Sequence, residues 1–333
     1  MTTVLLVGAG AVGARAARQL VETPGTSRVL VADRRRDRAE LVVSAMGPAT
    51  AVCDWFGDEP LPAGIDAVAA AVPGSLDVAI VRHALDAKVP VATASDDADG
   101  LHELLALDAD ARTAGTCVVA GAGLAPGLAD VLARHAADAL DTIDEITVAR
   151  AGVAGHASEE SMRRARRERA AHVRGGTYDV VPRRAGHELV WFPDPVGARE
   201  CELVAPGVEL LAEAFQGVER VSVRWGEARD GSRLRWPRRE DPEGTWGAIR
   251  VEAWGFRGAA REVLVYGAIE RTSIAAGTVL AVATAGLVGA LPEVLAPEPG
   301  VHGLGAVVQA RPFLAELAAR GVKAAAFEGV PAA

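Results

Sequence analysis

Three glycines open the chain's chemistry: Gly8-Ala9-Gly10-Ala11-Val12-Gly13 lies between a short β-branched apolar run at 3–7 and a helical stretch at 14–21. Gly8 permits a tight turn, Gly10 leaves no Cβ between the backbone and a pyrophosphate, and Gly13 lets the helix lie close to the strand. The helix start then offers free N–H groups and a partial positive charge to phosphates. A second apolar run, 28–32, closes on Asp33, 20 residues after Gly13, where a carboxylate can accept both ribose hydroxyls of an adenosine. Strand, glycine turn, helix, strand and acid in that order predict a dinucleotide-binding βαβ unit. A glycine turn used only for packing would leave Asp33 unexplained.

Asp33 would repel a 2′-phosphate, which favours NAD. Arg34, Arg35 and Arg36 follow directly and could stack on adenine or pair with a 2′-phosphate, so NADP stays open; the plainer reading is a solvated loop. Asp54 and Trp55 follow the third apolar run, 49–53, and are candidates to flank the adenine, although a loop carboxylate and a packed indole are equally ordinary.

These residues need a scaffold, and the chain is rich enough to build one. Half of its 333 residues are hydrophobic, enough for two domains without staples. A net charge of −9 argues against nucleic acid as a partner. Cys53, Cys117 and Cys201 are far apart, forming neither a metal-type pair nor a disulfide framework, which fits a cytoplasmic protein. The first apolar run lacks a basic segment before it and is broken by the glycines, unlike a signal peptide. Residues 273–291 carry no charge, but they are mostly Ala, Gly, Thr and Ser, which reads as a buried helix and not a membrane span. Only Lys88 and Lys323 are lysines, which argues against a Schiff base.

Further strands are expected at 65–72, 89–92 and 116–120, with helices at 38–46, 77–87 and 101–114. That makes six strands, the element count of a doubly wound parallel sheet. Loops at the carboxyl ends of such strands are where a nicotinamide would cross the sheet. Ala71, Val72, Pro73 and Ser75, Thr93 and Ser95, and Gly123, Leu124 and Pro126 are therefore candidate cofactor residues, with Gly74 beside them. After a helix at 128–139 the pattern changes to strands with few helices, at 145–149, 180–181, 189–192, 218–224, 249–256 and 261–268. Val221, Val223 and Trp225 alternate with Ser222 and Arg224, as in a largely antiparallel sheet with one exposed face. The expected fold is α/β: a Rossmann domain at 1–122, an α+β substrate and dimerisation domain at 123–270, and C-terminal helices (272–291 and 312–320) at 271–333 returning to the first domain. A homodimer is expected from the open sheet.

Several stretches together resemble the saccharopine dehydrogenase (saccharopine reductase)-like family. They are 4–13, the strand ending in Ala71-Val72-Pro73-Gly74, Gly121 to Gly127 before a helix, Thr272-Ser273 opening an Ala-rich helix, and Arg320-Gly321-Val322. The likeness is strongest before Ala139 and after Ala268 and thin across 153–239. It implies a Rossmann domain split by an α+β domain, and hydride transfer between NAD(P) and the carbon of an amine or imine on amino-acid or polyamine substrates. The chain departs from the family at Thr93-Ala94-Ser95-Asp96-Asp97, where relatives often show an aromatic residue with an acid, and it is shorter than many of them.

Such chemistry needs a proton donor or acceptor for the nitrogen. Asp96 and Asp97 follow a strand's carboxyl end and could serve, or one could cap the next helix. His156, His187 and Tyr178 are the other candidates. Residues 159–174 carry Arg163, Arg164, Arg166, Arg167, Arg169 and Arg174 on an expected helix, with Glu159/Arg163, Glu160/Arg164 and Arg164/Glu168 at pairing distance. They read as a solvated, ion-paired face; alternatively one of them, or Arg183-Arg184, clamps a substrate carboxylate. Neither metal-ligand spacing nor a Ser-His-Asp order emerges. Two other functions stay open: a non-catalytic dinucleotide sensor, and a synthase that uses NAD transiently.

Overall fold

The computed structural model describes residues 2–226 and 243–326. The first half alternates strand and helix: β1 (Thr2–Val7), α1 (Ala11–Val21), β2 (Thr26–Ala32), α2 (Arg36–Met46), β3 (Thr50–Val52), β4 (Ala67–Ala70), α3 (Gly74–Asp86), β5 (Val91–Thr93), α4 (Ala98–Leu105), α5 (Asp108–Ala114) and β6 (Cys117–Ala120). The central strands β4 and β6 are short and buried on both faces, which is why their sequences are continuous apolar runs. The expected helix at 101–114 is broken between α4 and α5. The expected strand at 65–72 pairs only over β4, since the chain leaves the sheet at Ala71 to build the cleft described below.

Next come α6 (Leu128–Ala137), β7 (Thr142–Ala151), α7 (His156–Ala165), β8 (Ala170–Arg174), β9 (Thr177–Val181), β10 (Glu188–Trp191), β11 (Ala198–Leu203), α8 (Val208–Ala214), β12 (Arg220–Gly226), β13 (Trp246–Arg257) and β14 (Ala260–Arg271). The chain then adds α9 (Thr272–Leu287), β15 (Gly300–Gly303), α10 (Leu304–Val307), α11 (Ala310–Ala319) and β16 (Ala324–Ala326). The expected single helix over 159–174 is a correction: it ends at Ala165, and Ala170–Arg174 is β8, joined to β9 by Gly175-Gly176 in positive φ.

The described residues form two sheets. The first is parallel, with order β15-β6-β5-β4-β1-β2-β3. It has seven strands, one more than the sequence suggests, because β15 joins β6 at the edge. The chain moves outward from β1 through β2 to β3, then starts again on the other side at β4. Carboxyl ends therefore diverge between β1 and β4, where an open parallel sheet has its ligand crevice. The second sheet is mixed and largely antiparallel: β13 pairs antiparallel with both β7 and β14, and β12 pairs parallel with β7. Val221, Val223 and Trp225 are buried, and Ser222 and Arg224 lie on the opposite, partly open face.

One core joins the two sheets through α1, α6 and α9. Leu20, Leu132, Ile146, Val251 and Leu280 all belong to it. The uncharged stretch at 273–291 forms α9, buried on nearly all sides. Its buried Thr278 and Thr284 hydroxyls donate to the Ile274 and Leu280 carbonyls at 2.7 and 2.8 Å, so no polar group is stranded. Among the described residues no helix is long and apolar enough to cross a membrane.

Candidate active site

The glycine loop is closed where packing demands it and open where a ligand would lie. A Cβ on Gly8 would sit 2.3 Å from the Ala71 carbonyl oxygen, and Gly8 has φ +100°. A Cβ on Gly13 would sit 1.8 Å from the Gly8 carbonyl oxygen. Gly10 is different: a Cβ there would meet nothing within 4 Å. No side chain caps the start of α1 at Gly10, so its first N–H groups face that open space with the helix dipole behind them. This is a cradle of the kind a pyrophosphate fills.

Asp33 stands at the end of β2 against this loop. Its carboxylate accepts from the Ala9 N–H at 2.7 Å and the Arg35 N–H at 2.8 Å. Arg34, Arg35 and Arg36 are exposed. Arg35 pairs with Asp37, and Arg36 pairs with Glu40 and with Asp54. Arg34 makes no ion pair or hydrogen bond among the described residues. Trp55 points into the core, its Nε1 donating to the Glu59 carbonyl at 2.9 Å.

From the glycine loop a cleft runs between the two sheets. Val12, Ala71, Val72, Pro73, Asp96, Asp97, Gly123, Leu124 and Pro126 line it, as do Gly74, Ala94, Thr272 and, from the second sheet's side, Arg150 and α7. The structure thus gathers most of the loop residues singled out from the sequence. Ser75 lies in the first turn of α3. Thr93 and Ser95 are buried behind the lining. The Thr93 carbonyl accepts from the Ala122 N–H, tying the β5 and β6 loops together. Gly74 is small because Asp97 Cβ would lie 2.7 Å from a Cβ there.

Asp96 and Asp97 divide the two roles open to them. Asp97 caps α4, accepting from the Gly100 N–H at 3.0 Å, and pairs with Arg164 at 3.0 Å. Asp96 faces the cleft. Its Oδ2 accepts from the Ser158 hydroxyl at 2.9 Å, and its carbonyl accepts from the Ser161 hydroxyl at 3.2 Å. Arg150 Nη1 lies 3.7 Å from Asp96 Oδ2. Burial pushes the Asp96 carboxyl up, with the Arg150 guanidinium and the two serine hydroxyls pulling it back. Behind it Asp77 is wholly buried, and neither of its oxygens has a hydrogen-bond partner among the described residues. Burial drives its carboxyl well above the usual carboxylate range, opposed by the nearby Ser95 hydroxyl without a well-formed bond.

Helix α7 supplies Ser158, Ser161 and Arg164 to this contact. Arg164 therefore reaches across the cleft instead of pairing with Glu160 or Glu168, while Arg163 does pair with Glu159. His156 opens α7 with an exposed side chain outside the lining. His187 lines a separate surface pocket with Arg166 and Arg199, and Tyr178 lies on β9 near Glu209. The residue the sequence did not yield is Arg150, 2 % exposed on β7. It carried one signal: Arg150 shares the alternation phase of Ile146 and Val148, which both face the core.

A parallel seven-stranded Rossmann-like sheet joined to a mixed, largely antiparallel second sheet defines the fold class, and the glycine cradle lies at the crevice that class uses for dinucleotides. Solved structures with that likeness bear it out at the level of fold. Saccharopine dehydrogenase (L-Glu forming) from Saccharomyces cerevisiae superposes with a TM-score of 0.66 at 14% identity, over 98% of this chain and 100% of that one. Amine dehydrogenase from Mycobacterium smegmatis gives 0.53 at 13% identity, over 93% and 97% of the chains. DAP dehydrogenase of C. glutamicum, in complex with DAP, gives 0.50 at 14%, over 96% and 98%. No family model and no curated protein matches the sequence.

Proposed function

We propose that the chain is an NAD(P)-dependent oxidoreductase acting on the C–N bond of a small amine or imine. The observation that carries this reading is the open Gly10 cradle leading directly into a cleft that holds a half-buried carboxylate, Asp96. Three fold neighbours, the saccharopine, amine and DAP dehydrogenases, agree with it. The division into 1–122, 123–270 and 271–333, a homodimer formed through the open face of the second sheet, and a cytoplasmic location belong to the same proposal.

A nicotinamide bound in the cleft would supply or accept a hydride. The chain's own residues do the rest. Gly8, Gly10, Gly13 and the start of α1 hold the pyrophosphate, and Asp33 takes the adenosine ribose. Pro73, Leu124 and Pro126 exclude water from the reacting carbon. Asp96 exchanges the proton at the substrate nitrogen; its raised pKa brings its titration nearer to neutrality, as general acid–base work requires. Asp97 and His156 are the lesser candidates, the first already engaged as a cap and the second exposed outside the lining.

The test is a titration of NADH and NADPH into the wild type and Asp33→Ala. Tight NADH binding that weakens at least about tenfold in the variant supports NAD on Asp33. Preference for NADPH, unchanged or improved in the variant, assigns selectivity to Arg34, the unpaired arginine of the loop. Binding of neither leaves the glycines as a packing turn and removes the proposal.

A further inference from the structure

Arg150 is built into the cleft in a way its protein partners do not complete. A guanidinium has five N–H donors and no acceptor. Nη1 donates to the Ala125 carbonyl and lies 3.7 Å from Asp96, beyond a hydrogen bond. Nε is buried without a partner, and among the described residues the guanidinium's one hydrogen bond is that from Nη1 to Ala125. The residue is 2 % exposed, and what it shows is cleft lining. A buried cation with unmet donors is costly unless an anion comes to it. Asp96 offsets its charge from 3.7 Å but takes no hydrogen bond from it, so the guanidinium's donors stay unmet.

We propose that Arg150 anchors the carboxylate of the substrate, so the cleft takes amino or imino acids and not polyamines. This rests on the reading of the cleft as the substrate site. A carboxylate gives the guanidinium the acceptors it lacks, in the planar geometry that suits its fork. Asp96 then faces the adjacent nitrogen, and an α-amino acid presents both groups within two bonds. A polyamine brings Arg150 no acceptor and sets a second cation beside it. Arg164 is not equivalent, because Asp97 already pairs with it at 3.0 Å.

The experiment measures binding by calorimetry for pairs that differ only in the carboxylate: L-alanine and ethylamine, L-norvaline and butylamine, L-lysine and cadaverine. Each pair is run with and without saturating NADH. In the wild type at least one acid is expected to bind about tenfold or more tightly than its amine. Arg150→Lys and Arg150→Gln should erase that margin while NADH affinity changes less than about threefold. Thermal melts show whether the variants fold; the wild-type comparison decides the matter even if they do not. Amines that match the acids, an absence of binding by any acid, or a margin that survives in a folded variant each overturn the proposal. Failure to bind either dinucleotide would sink the cofactor reading alone, since the margin is also read without cofactor.

Discussion

Asp130 occupies the first turn of α6, where its carboxylate accepts from the Gly127 N–H at 2.6 Å. Burial pushes its pKa up to about 7 from an ordinary 3.8. The folded chain therefore keeps a proton that the unfolded chain gives up, so unfolding releases a proton between those pH values. Stability falls as pH rises from about 4 to about 7 and levels off above. Asp130→Asn keeps an acceptor for Gly127 but should shrink the loss between pH 4.5 and pH 8 by at least about 1 kcal/mol, read by urea unfolding at both. Asp77, displaced in the same direction, adds a slope of the same sign. Gly10 offers a different prediction. Its φ of −75° suits any residue, and a Cβ there meets nothing within 4 Å. Gly10→Ala should leave the melting temperature within about 2 °C yet weaken dinucleotide binding at least about tenfold, by fluorescence titration. Single residues were legible where their demand is local. Gly8, Gly13, Asp33 and the Asp97 cap depend on neighbours a few residues away or on a fixed loop geometry. Arg150 depends on Asp96 and Ala125, which only the folded chain brings near it.

Among the elements, α7 does the most for its length. Its three polar side chains fasten the loop after β5 from across the cleft. Arg164 is half-exposed, so its pair with Asp97 adds little to global stability. Arg164→Gln should cost less than about 1 kcal/mol in urea unfolding while raising hydrogen exchange in α7 selectively. That combination distinguishes a local fastening from a core contact. The sequence overextended this helix because Glu and Arg at four-residue spacing continue past its end to Glu168, and further arginines follow at Arg169 and Arg174. The hairpin was marked by Gly175-Gly176, which the charge pattern outweighed. β15 went unseen for the opposite reason. Gly300-Val301-His302-Gly303 has almost no apolar run, and its burial comes from its position beside β6. The long strand β13 was readable because one of its faces is core.

At the scale of the molecule, α9 lies against α1 with almost no clearance. A Cβ on Gly277 would be 2.6 Å from the Val12 carbonyl oxygen and 2.7 Å from Arg15 Cβ. The gain in helix propensity from alanine, about 1 kcal/mol, is smaller than the repacking it forces. Gly277→Ala should destabilise by roughly 1–3 kcal/mol in urea unfolding. It should also weaken dinucleotide binding, because the displaced backbone is that of the helix whose start forms the cradle. The return of α9 and β15 to the first sheet has a consequence in time. A ribosome delivers β1 to β6 long before β15, and every strand of the second sheet up to β14 is made in between. Until residue 287 has left the exit tunnel α1 lacks α9, and until residue 303 has left it β6 is a bare sheet edge. The parallel-sheet half of the protein must therefore wait, unfinished and open to mispairing, while the other half is being translated.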